Sequence, residues 1–284
     1  LDAGLSAEVV MLDENKYKLT KTGFFFIGDQ MTNINMDFVH DVCYNGMFYL
    51  EDSIKNEQPE GLKVFGNWPT IYHGLSELPE KVKESWFAFD HFYSDNVFIS
   101  ILPRIFKNNP KKILDVGGNT GKFSLQCAKF SSNTEITIMD LPGQLDVALQ
   151  NAKENGYKEQ VKGYPADILD HTKPFPEGFD VIWMSQFLDC FSEGDILQIL
   201  KRAAASMSEN SSLFILETYW DRQEYDISTF CLNNTSLYFT AMANGNSRMY
   251  HSEDMIKLIE KAGLKIKDIR DNLGISHTLI ECKR

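Results

Sequence analysis

From Lys111 onward, the chain alternates short apolar runs with segments whose apolar residues recur at helical spacing. The apolar runs in KKILDVG, TEITIMD, FDVIWMS and SSLFILET predict buried strands, and the amphipathic segments between them predict helices. A last helix is predicted over 252–262, and two terminal strands follow near LKIKDIRD and SHTLIECK. This βαβαβ order with a mixed end is typical of an α/β fold with a Rossmann-like, doubly wound sheet.

The first 105 residues differ in composition, because they contain many aromatic residues and no glycine-rich loop. YKLTKTGFFF, from Tyr17, predicts a short strand that leads into a helix. Residues 34–56 and 78–107 predict helices with aromatic faces. We therefore expect two regions, a mainly helical one over 1–105 and an α/β domain over 106–284.

Charge and cysteine usage exclude several classes of partner. The 28 basic and 40 acidic residues give a net charge of -12, whereas binding to a nucleic-acid backbone needs clustered Lys and Arg. No apolar run reaches the length of a membrane span. The five cysteines are scattered, and neither they nor the histidines have metal-ligand spacing. We expect reduced thiols in a cytoplasmic protein, with no metal, nucleic-acid or membrane partner.

A glycine-rich loop, DVGGNTGKF from Asp115, lies between the first strand and the first helix of the predicted sheet. Its glycines let a ligand approach the main chain, and the following helix offers free N–H groups. The next strand ends at Asp140, where a carboxylate can accept the hydroxyls of a ribose. This unit predicts a site for a nucleoside-bearing cofactor. The glycines fall as G-G-x-x-G rather than G-x-G-x-x-G, which counts against a dinucleotide.

The stretch MSQFLDCFSEGD, residues 184–195, places an acid among apolar residues directly after a predicted buried strand. Ser192 with Asp195 three residues later is typical of a helix start, so Asp189 falls in the loop between strand and helix. An apolar environment raises the pKa of a carboxylate toward that of a general base. The alternatives are that Asp189 caps the helix or is simply solvated.

Several of these stretches occur together, in the same order, in a known family. LDVGGNTGKF, DLPGQLDVA, ADILD and FDVIWMSQFLDCFSEGDILQIL resemble the small-molecule O-methyltransferases that use S-adenosyl-L-methionine, in the group of the caffeic acid, acetylserotonin and bacterial polyketide enzymes. The resemblance covers nearly the whole chain. It implies a class I methyltransferase domain preceded by a winged-helix-type dimerisation region, which is expected to be truncated here. It also implies a homodimer.

Carried over by position, the resemblance implies a set of cofactor contacts. Asp115 would order the glycine loop, Asp140 would hold the ribose and Asp167 the adenine amino group. Ser185 stands where the plant enzymes often have lysine, and Tyr93 where they have a methionine near the transferred methyl. The full implied set is Asp115, Gly117, Gly118, Asp140, Leu141, Asp167, Ile168, Ser185 and Tyr93.

The resemblance also places the catalytic groups. The plant enzymes carry a base histidine after the fourth strand, and the matching residue here is Asp189. Glu217, at the end of SSLFILET, matches a carboxylate that steers that base. A second steering glutamate of the plant enzymes has no counterpart in NGNSRMYHS. The substrate contacts we expect are Phe89, Phe187, Asn233 and Met242.

The leading interpretation is therefore methyl transfer from S-adenosyl-L-methionine to a hydroxyl of a small aromatic or polyketide-like molecule, with Asp189 as general base and no metal. A protein of the same fold that binds the cofactor without turnover is an alternative, because the base histidine is absent. Methylation of a nitrogen or carbon atom stays open, because the cofactor-binding part of the sequence looks alike in O-, N- and C-methyltransferases. An NAD-dependent dehydrogenase is disfavoured by the glycine spacing and by Asp115.

Overall fold

The chain begins with a β-hairpin between two helices. In the computed structural model, which describes residues 1–284, α1 spans Asp2–Ser6, β1 Val10–Asp13, β2 Lys16–Leu19 and α2 Lys21–Gly28. The strands pair antiparallel, and the turn residues Glu14 and Asn15 have φ values of 47° and 57°, as a tight two-residue turn requires. The predicted strand that leads into a helix is confirmed as β2 and α2. Its partner β1 was not predicted.

The next segment consists of short helical pieces instead of the single helix predicted over 34–56. These pieces are α3 Gln30–Asp37, a π-helical turn Phe38–Cys43, a 3-10 turn Gly46–Tyr49, α4 Leu50–Asn56, a 3-10 turn Glu60–Val64 and α5 Ile71–Gly74. The helix predicted over 78–107 is confirmed as α6, Glu80–Ile105. Val97, Ile101 and Ile105 of α6 are buried in the same apolar cluster as the sheet, so α6 joins the two parts of the chain.

A seven-stranded sheet forms the second part of the chain. Its strands are β3 Lys112–Val116, β4 Glu135–Asp140, β5 Val161–Pro165, β6 Val181–Ser185, β7 Ser212–Thr218, β8 Lys265–Leu273 and β9 His277–Lys283. They lie in the order β5-β4-β3-β6-β7-β9-β8, with β3 to β7 parallel and β9 antiparallel to both of its neighbours. β7 is buried along its whole length, as is typical of a parallel sheet covered on both faces. The predicted doubly wound, Rossmann-like sheet with a mixed edge is confirmed.

Helices cover both faces of this sheet. They are α7 Lys122–Phe130, α8 Pro142–Glu154, α9 Glu193–Ser206, α10 Asp226–Tyr238 and α11 Ser252–Lys261, with a π-helical turn Phe239–Ala243 and 3-10 turns Phe106–Asn108, Leu188–Cys190 and Trp220–Arg222. α6, α7 and α8 share one apolar cluster with the strands, and α9 and α11 share the other. A third cluster joins the N-terminal helices to the end of α10. None of the helices is both long and apolar enough to cross a bilayer.

The order of the strands reverses beside β3. From β3 the chain moves outward to β4 and β5, and it then returns to β6 on the other side. Parallel α/β sheets bind ligands at the carboxyl ends of the strands at such a point. The loops over 117–121 and 186–192 both leave the sheet there. The division of the chain at residues 105 and 106 stays a prediction.

Candidate active site

A cavity of about 1290 Å³ opens at these carboxyl ends. Its walls come from both parts of the chain, since α3 and α6 contribute as well as the loops that follow β3, β4, β5 and β6. Pockets for one drug-sized ligand measure roughly 300–1,000 Å³. This cavity therefore has room for a cofactor and a second small molecule.

The glycine loop forms one wall, and two of its glycines are required by close contacts. Gly117 has a φ of 69°, and a Cβ added there would lie 2.2 Å from the ring of Phe187. A Cβ on Gly118 would lie 2.8 Å from Ile138 and 3.0 Å from the Asp115 carboxylate. The loop main chain is therefore packed from behind and open toward the cavity, where a ligand can approach it.

Two acids, Asp115 buried and Asp140 partly buried, hold this loop in place. Asp140, at the end of β4, accepts hydrogen bonds from the backbone N–H groups of Asn119 at 2.8 Å and Leu141 at 2.7 Å. Asp115 accepts one from the Ser124 hydroxyl at 2.6 Å. Burial raises the pKa of Asp140 to about 6 and that of Asp115 to about 7. Positive charge on a bound ligand would stabilise both carboxylates.

The structure places every predicted cofactor residue around this one cavity. Ser185 brings a buried hydroxyl that has no hydrogen-bond partner within the protein, and the Tyr93 hydroxyl accepts a bond of 2.8 Å from the Asn35 side chain on α3. The residues that line the cavity are Asp115, Gly117, Gly118, Asp140, Leu141, Asp167, Ile168, Ser185 and Tyr93. Their individual roles stay predictions.

The structure places two of the four predicted substrate contacts at the cavity and two away from it. Phe89 and Phe187 line the cavity, but Asn233 lies on the solvent-exposed side of α10. Met242 is fully buried, and its sulfur packs against the main chain of Gly46 and Gly61. The π-helical turn after α10 directs Met242 into the third apolar cluster and away from the cavity.

Asp189 lies in the 3-10 turn between β6 and α9 and faces the cavity, although only 6% of it is exposed. Its carboxylate has one side-chain contact, the Cys190 thiol at 3.5 Å. Burial, reinforced by the negative charge of Asp90, raises the pKa of Asp189 to about 7. Ser192 caps α9 by accepting a bond from the Asp195 N–H, which confirms the predicted helix start. Asp189 is therefore neither the cap nor solvated.

Glu217, near the end of β7, stands behind this turn. One carboxylate oxygen accepts bonds from the backbone N–H groups of Phe187 at 2.9 Å and Leu188 at 2.8 Å, and the other is buried without a partner. Burial and the neighbouring charge of Asp189 raise the pKa of Glu217 well above its usual range. Glu217 therefore holds the backbone of the turn that carries Asp189.

A polar chain that the sequence did not predict crosses the site. Asp90 on α6 accepts bonds from Asn119 at 3.1 Å and Gln186 at 3.3 Å, and the Gln186 amide oxygen lies 2.6 Å from His277 Nε2. Burial lowers the pKa of His277 to about 4, so its ring is neutral and donates through Nε2. Gln186 has a φ of 46°, an uncommon conformation for this residue type that marks functional sites.

One signal in the sequence could have revealed Asp90. It lies four residues before Ser94 and seven before Val97, on the stripe of α6 that is buried. An acid on an otherwise buried helical stripe needs a partner or a function. His277 gives no comparable signal, because its pairing with Gln186 is set by the packing of β9 beside β7.

Comparison with known proteins agrees with this geometry. A family model described as an O-methyltransferase domain matches residues 49–265. The L-tyrosine C(3)-methyltransferase of Streptomyces lavendulae is 22% identical over 80% of this chain and 61% of its own length. The demethylspheroidene O-methyltransferase of Rhodobacter capsulatus is 25% identical over 86% of this chain and 59% of its own length. The chain thus spans about three fifths of the length of these relatives.

Solved structures share the fold. The mitomycin 7-O-methyltransferase MmcR superposes with a TM-score of 0.77 at 16% identity, over 100% of this chain and 82% of that one. NcsB1, an O-methyltransferase from neocarzinostatin biosynthesis, was solved in complex with S-adenosylmethionine and 2-hydroxy-5-methyl naphthoic acid. It superposes with a TM-score of 0.73 at 15% identity, over 99% of this chain and 82% of that one.

The residues present fit the cofactor of these enzymes. S-adenosyl-L-methionine carries a sulfonium and an ammonium, which suit a cavity wall built from Asp115, Asp140 and Asp167. It also carries a ribose, whose hydroxyls suit a carboxylate in the cavity wall, and the glycine loop leaves its main chain open toward the cavity. The chain therefore belongs to the O-methyltransferase domain family, and its site fits S-adenosyl-L-methionine as the cofactor.

Proposed function

We propose that this protein transfers a methyl group from S-adenosyl-L-methionine to a hydroxyl oxygen of a small aromatic or polyketide-like molecule, with Asp189 as the general base. The observation that carries this proposal is the Asp189 carboxyl, buried in the cavity wall with a pKa raised to about 7. A base is most effective when its pKa lies near the working pH. When bound, the cofactor supplies a methyl group already activated by a positively charged sulfur.

The protein's own part is to hold the acceptor and remove its proton. Glu217 fixes the turn that carries Asp189, because it accepts the N–H groups of Phe187 and Leu188. Asp189 then takes the proton of the acceptor hydroxyl, and the burial that raises its pKa also excludes water. Such a base contributes roughly 10²–10⁴-fold to a rate, and the positioning of the acceptor contributes further.

The aromatic lining supports a flat, apolar acceptor. Phe38 and Phe89 stack with ring centroids 4.0 Å apart, and Tyr93 lies 5.2 Å from Phe89. Trp86 donates a hydrogen bond of 2.7 Å to the hydroxyl of Tyr238, which fixes a second pair of rings on the same wall. Aromatic faces of this kind bind planar molecules by offset stacking. The ligand bound by NcsB1, 2-hydroxy-5-methyl naphthoic acid, has a planar ring system of this kind.

C-methylation is a second candidate, favoured by the names of two relatives. These are the L-tyrosine C(3)-methyltransferase and the bacteriochlorophyllide d C-20 methyltransferase of Chlorobaculum tepidum. A phenol that loses its proton to Asp189 becomes nucleophilic at oxygen and at the adjacent ring carbon. Methylation at carbon is then completed when that carbon loses its proton and the phenolic oxygen regains one. Proton NMR of the product separates the two, because O-methyl and ring C-methyl groups resonate at different positions.

We propose that the chain forms a homodimer through its N-terminal region. Large apolar side chains there are exposed in the single chain, including Phe24, Ile27, Val39 and Phe48. Several large apolar side chains exposed along one segment are typical of an interface. Light scattering on the purified protein is expected to give twice the mass of 32.5 kDa, and a monomer at all concentrations would contradict the proposal. Cytoplasmic localisation and the lack of a nucleic-acid partner stay predictions.

Calorimetry and a methyl-transfer assay test the function. S-adenosylhomocysteine is expected to bind at about one site per chain, and NAD is expected not to bind. Label from methyl-labelled cofactor should then enter members of a phenol panel, and Asp189→Asn should abolish this transfer. Asp195→Asn is the matched control, since Asp195 also lines the cavity but is already bonded to His171. Binding without transfer to any acceptor would instead support a non-catalytic cofactor-binding protein.

A further inference from the structure

The cations of the cavity wall are already engaged. Two lysines line the cavity, and no arginine does. Lys63 is bonded to Glu60, and Lys122 lies 3.6 Å from Asp95. A carboxylate on a bound acceptor would therefore compete with Glu60 and Asp95 for these lysines, and an unpaired charge is costly to bury.

Two carboxylates that face the same cavity have no lysine or arginine beside them. Both bonds that Asp90 accepts come from neutral amides, and the nearest imidazole nitrogen, Nδ1 of His91, is 3.8 Å from Asp90 but 3.5 Å from Asp95. Asp189 has only the Cys190 thiol beside it. Asp90 and Asp189 are close enough for the charge of one to raise the pKa of the other. A cation bound between them would relieve both.

The cofactor does not account for this surplus of negative charge. Its sulfonium, ammonium and carboxylate sum to one positive charge, and the wall beside the glycine loop already offers Asp115, Asp140 and Asp167. Asp189 lies on the loop after β6 beside Cys190, and it faces the cavity that Tyr72 also lines. That part of the cavity has an uncompensated carboxylate of its own.

We propose that the methyl acceptor carries a protonated amine, which is held by Asp90 with the aromatic faces beside it, and that acceptors carrying a carboxylate are rejected. This inference rests on the proposed function. Trp86, Phe89 and Tyr238 line the same cavity, and aromatic faces stabilise an ammonium through their negative quadrupole. Asp189 then serves the hydroxyl that is methylated, while Asp90 neutralises the amine.

Three catechols that differ only in the end of a short side chain test the acceptor charge. Dopamine ends in an ammonium, hydroxytyrosol in a hydroxyl and dihydroxyphenylacetate in a carboxylate. Their dissociation constants are measured by calorimetry on enzyme saturated with S-adenosylhomocysteine, so that no turnover is needed. We expect dopamine to bind about 30-fold more tightly than hydroxytyrosol, and dihydroxyphenylacetate about tenfold more weakly. Equal affinities, tighter binding of the carboxylate, or no binding by dopamine would overturn the proposal.

The variant Asp90→Asn assigns the ammonium to its partner. The ratio of dopamine to hydroxytyrosol affinity is expected to fall about tenfold, whatever happens to the affinity for hydroxytyrosol itself. In the matched control Asp195→Asn the ratio should stay as in the parent protein. If Asp90→Asn weakens S-adenosylhomocysteine binding and leaves the ratio unchanged, Asp90 serves the cofactor and the proposal is wrong.

Methyl transfer to the same three compounds separates this inference from the function on which it rests. If dopamine binds most tightly and is methylated, the proposed function and the preference for a protonated amine are both supported. If dopamine binds most tightly but no compound gains a methyl group, O-methylation of such acceptors fails while the charge preference holds. If hydroxytyrosol is methylated and dopamine neither binds nor reacts better, the function stands and the charge preference fails.

Discussion

Replacing Asp189 by asparagine removes a carboxylate that the fold buries without a cation beside it. Asparagine has nearly the same shape, so the turn Leu188–Cys190 and its bonds to Glu217 should persist. The change has two consequences of opposite sign. The proposed methyl transfer should lose its proposed base, while the folded state is relieved of a buried acid.

The size and pH range of the second effect follow from the pKa of Asp189. It is raised from 3.8 to about 7 in the folded chain. Between these values the folded state holds a proton that the unfolded state has lost, so stability falls as the pH rises and the full loss is present above pH 7. A shift of this size corresponds to about 4 kcal/mol. The asparagine variant avoids this loss and should gain about 5–10 °C in Tm at alkaline pH.

Thermal unfolding at a series of pH values measures this gain, alongside the methyl-transfer assay. Parent and variant should unfold alike near pH 4, and their Tm values should separate progressively up to about pH 7. Asp195→Asn, at an acid bonded to His171 and Ser192, is the control and should show no such separation. A variant that is no more stable than the parent protein at pH 8 would refute the argument that Asp189 is an uncompensated buried acid.

Three further changes have expected outcomes. The value of kcat/KM should fall as the pH drops below about 7, because Asp189 must be ionised to act as a base, and a pH–rate profile checks this. Gly117→Ala places a Cβ 2.2 Å from the Phe187 ring at a φ of 69°, so calorimetry should show at least about tenfold weaker S-adenosylhomocysteine binding. Glu217→Leu leaves the backbone N–H groups of Phe187 and Leu188 without an acceptor, so the free energy of unfolding measured with urea should fall by about 2–4 kcal/mol. Glu217→Gln keeps an acceptor for these groups and should lower the free energy of unfolding by less.

The parts of the site that could be predicted from the sequence are those set by local signals. The glycine loop and Asp140 follow strands whose apolar runs are unambiguous, and the structure brings them to the same edge of the sheet. The burial of Asp189 could be anticipated because its neighbours are apolar and Ser192 is the better helix cap. In each case the chemistry depends on residues a few positions away.

The rest depends on packing between distant segments. The hairpin partner β1 was missed because Glu14 and Asn15 form a tight turn without glycine. Met242 seemed a good pocket residue by type, but Gly46 and Gly61 leave a gap for its sulfur that only the folded chain reveals. Which side of α10 faces inward likewise depends on the N-terminal helices, and Asn233 lies on the outer side.

The contact between Gly117 and Phe187 has a kinetic consequence. The ring of Phe187 lies against the main chain of the glycine loop. The backbone N–H of Phe187 donates a hydrogen bond to Glu217, and Asp189 follows Phe187 by two residues. If cofactor binding shifts the loop, the shift would reach the proposed base, Asp189, through a single aromatic side chain. We expect compulsory-order kinetics, in which the acceptor is deprotonated only after the methyl donor has bound. Such an order would protect a reactive phenolate from forming in an enzyme that has no methyl group to give it.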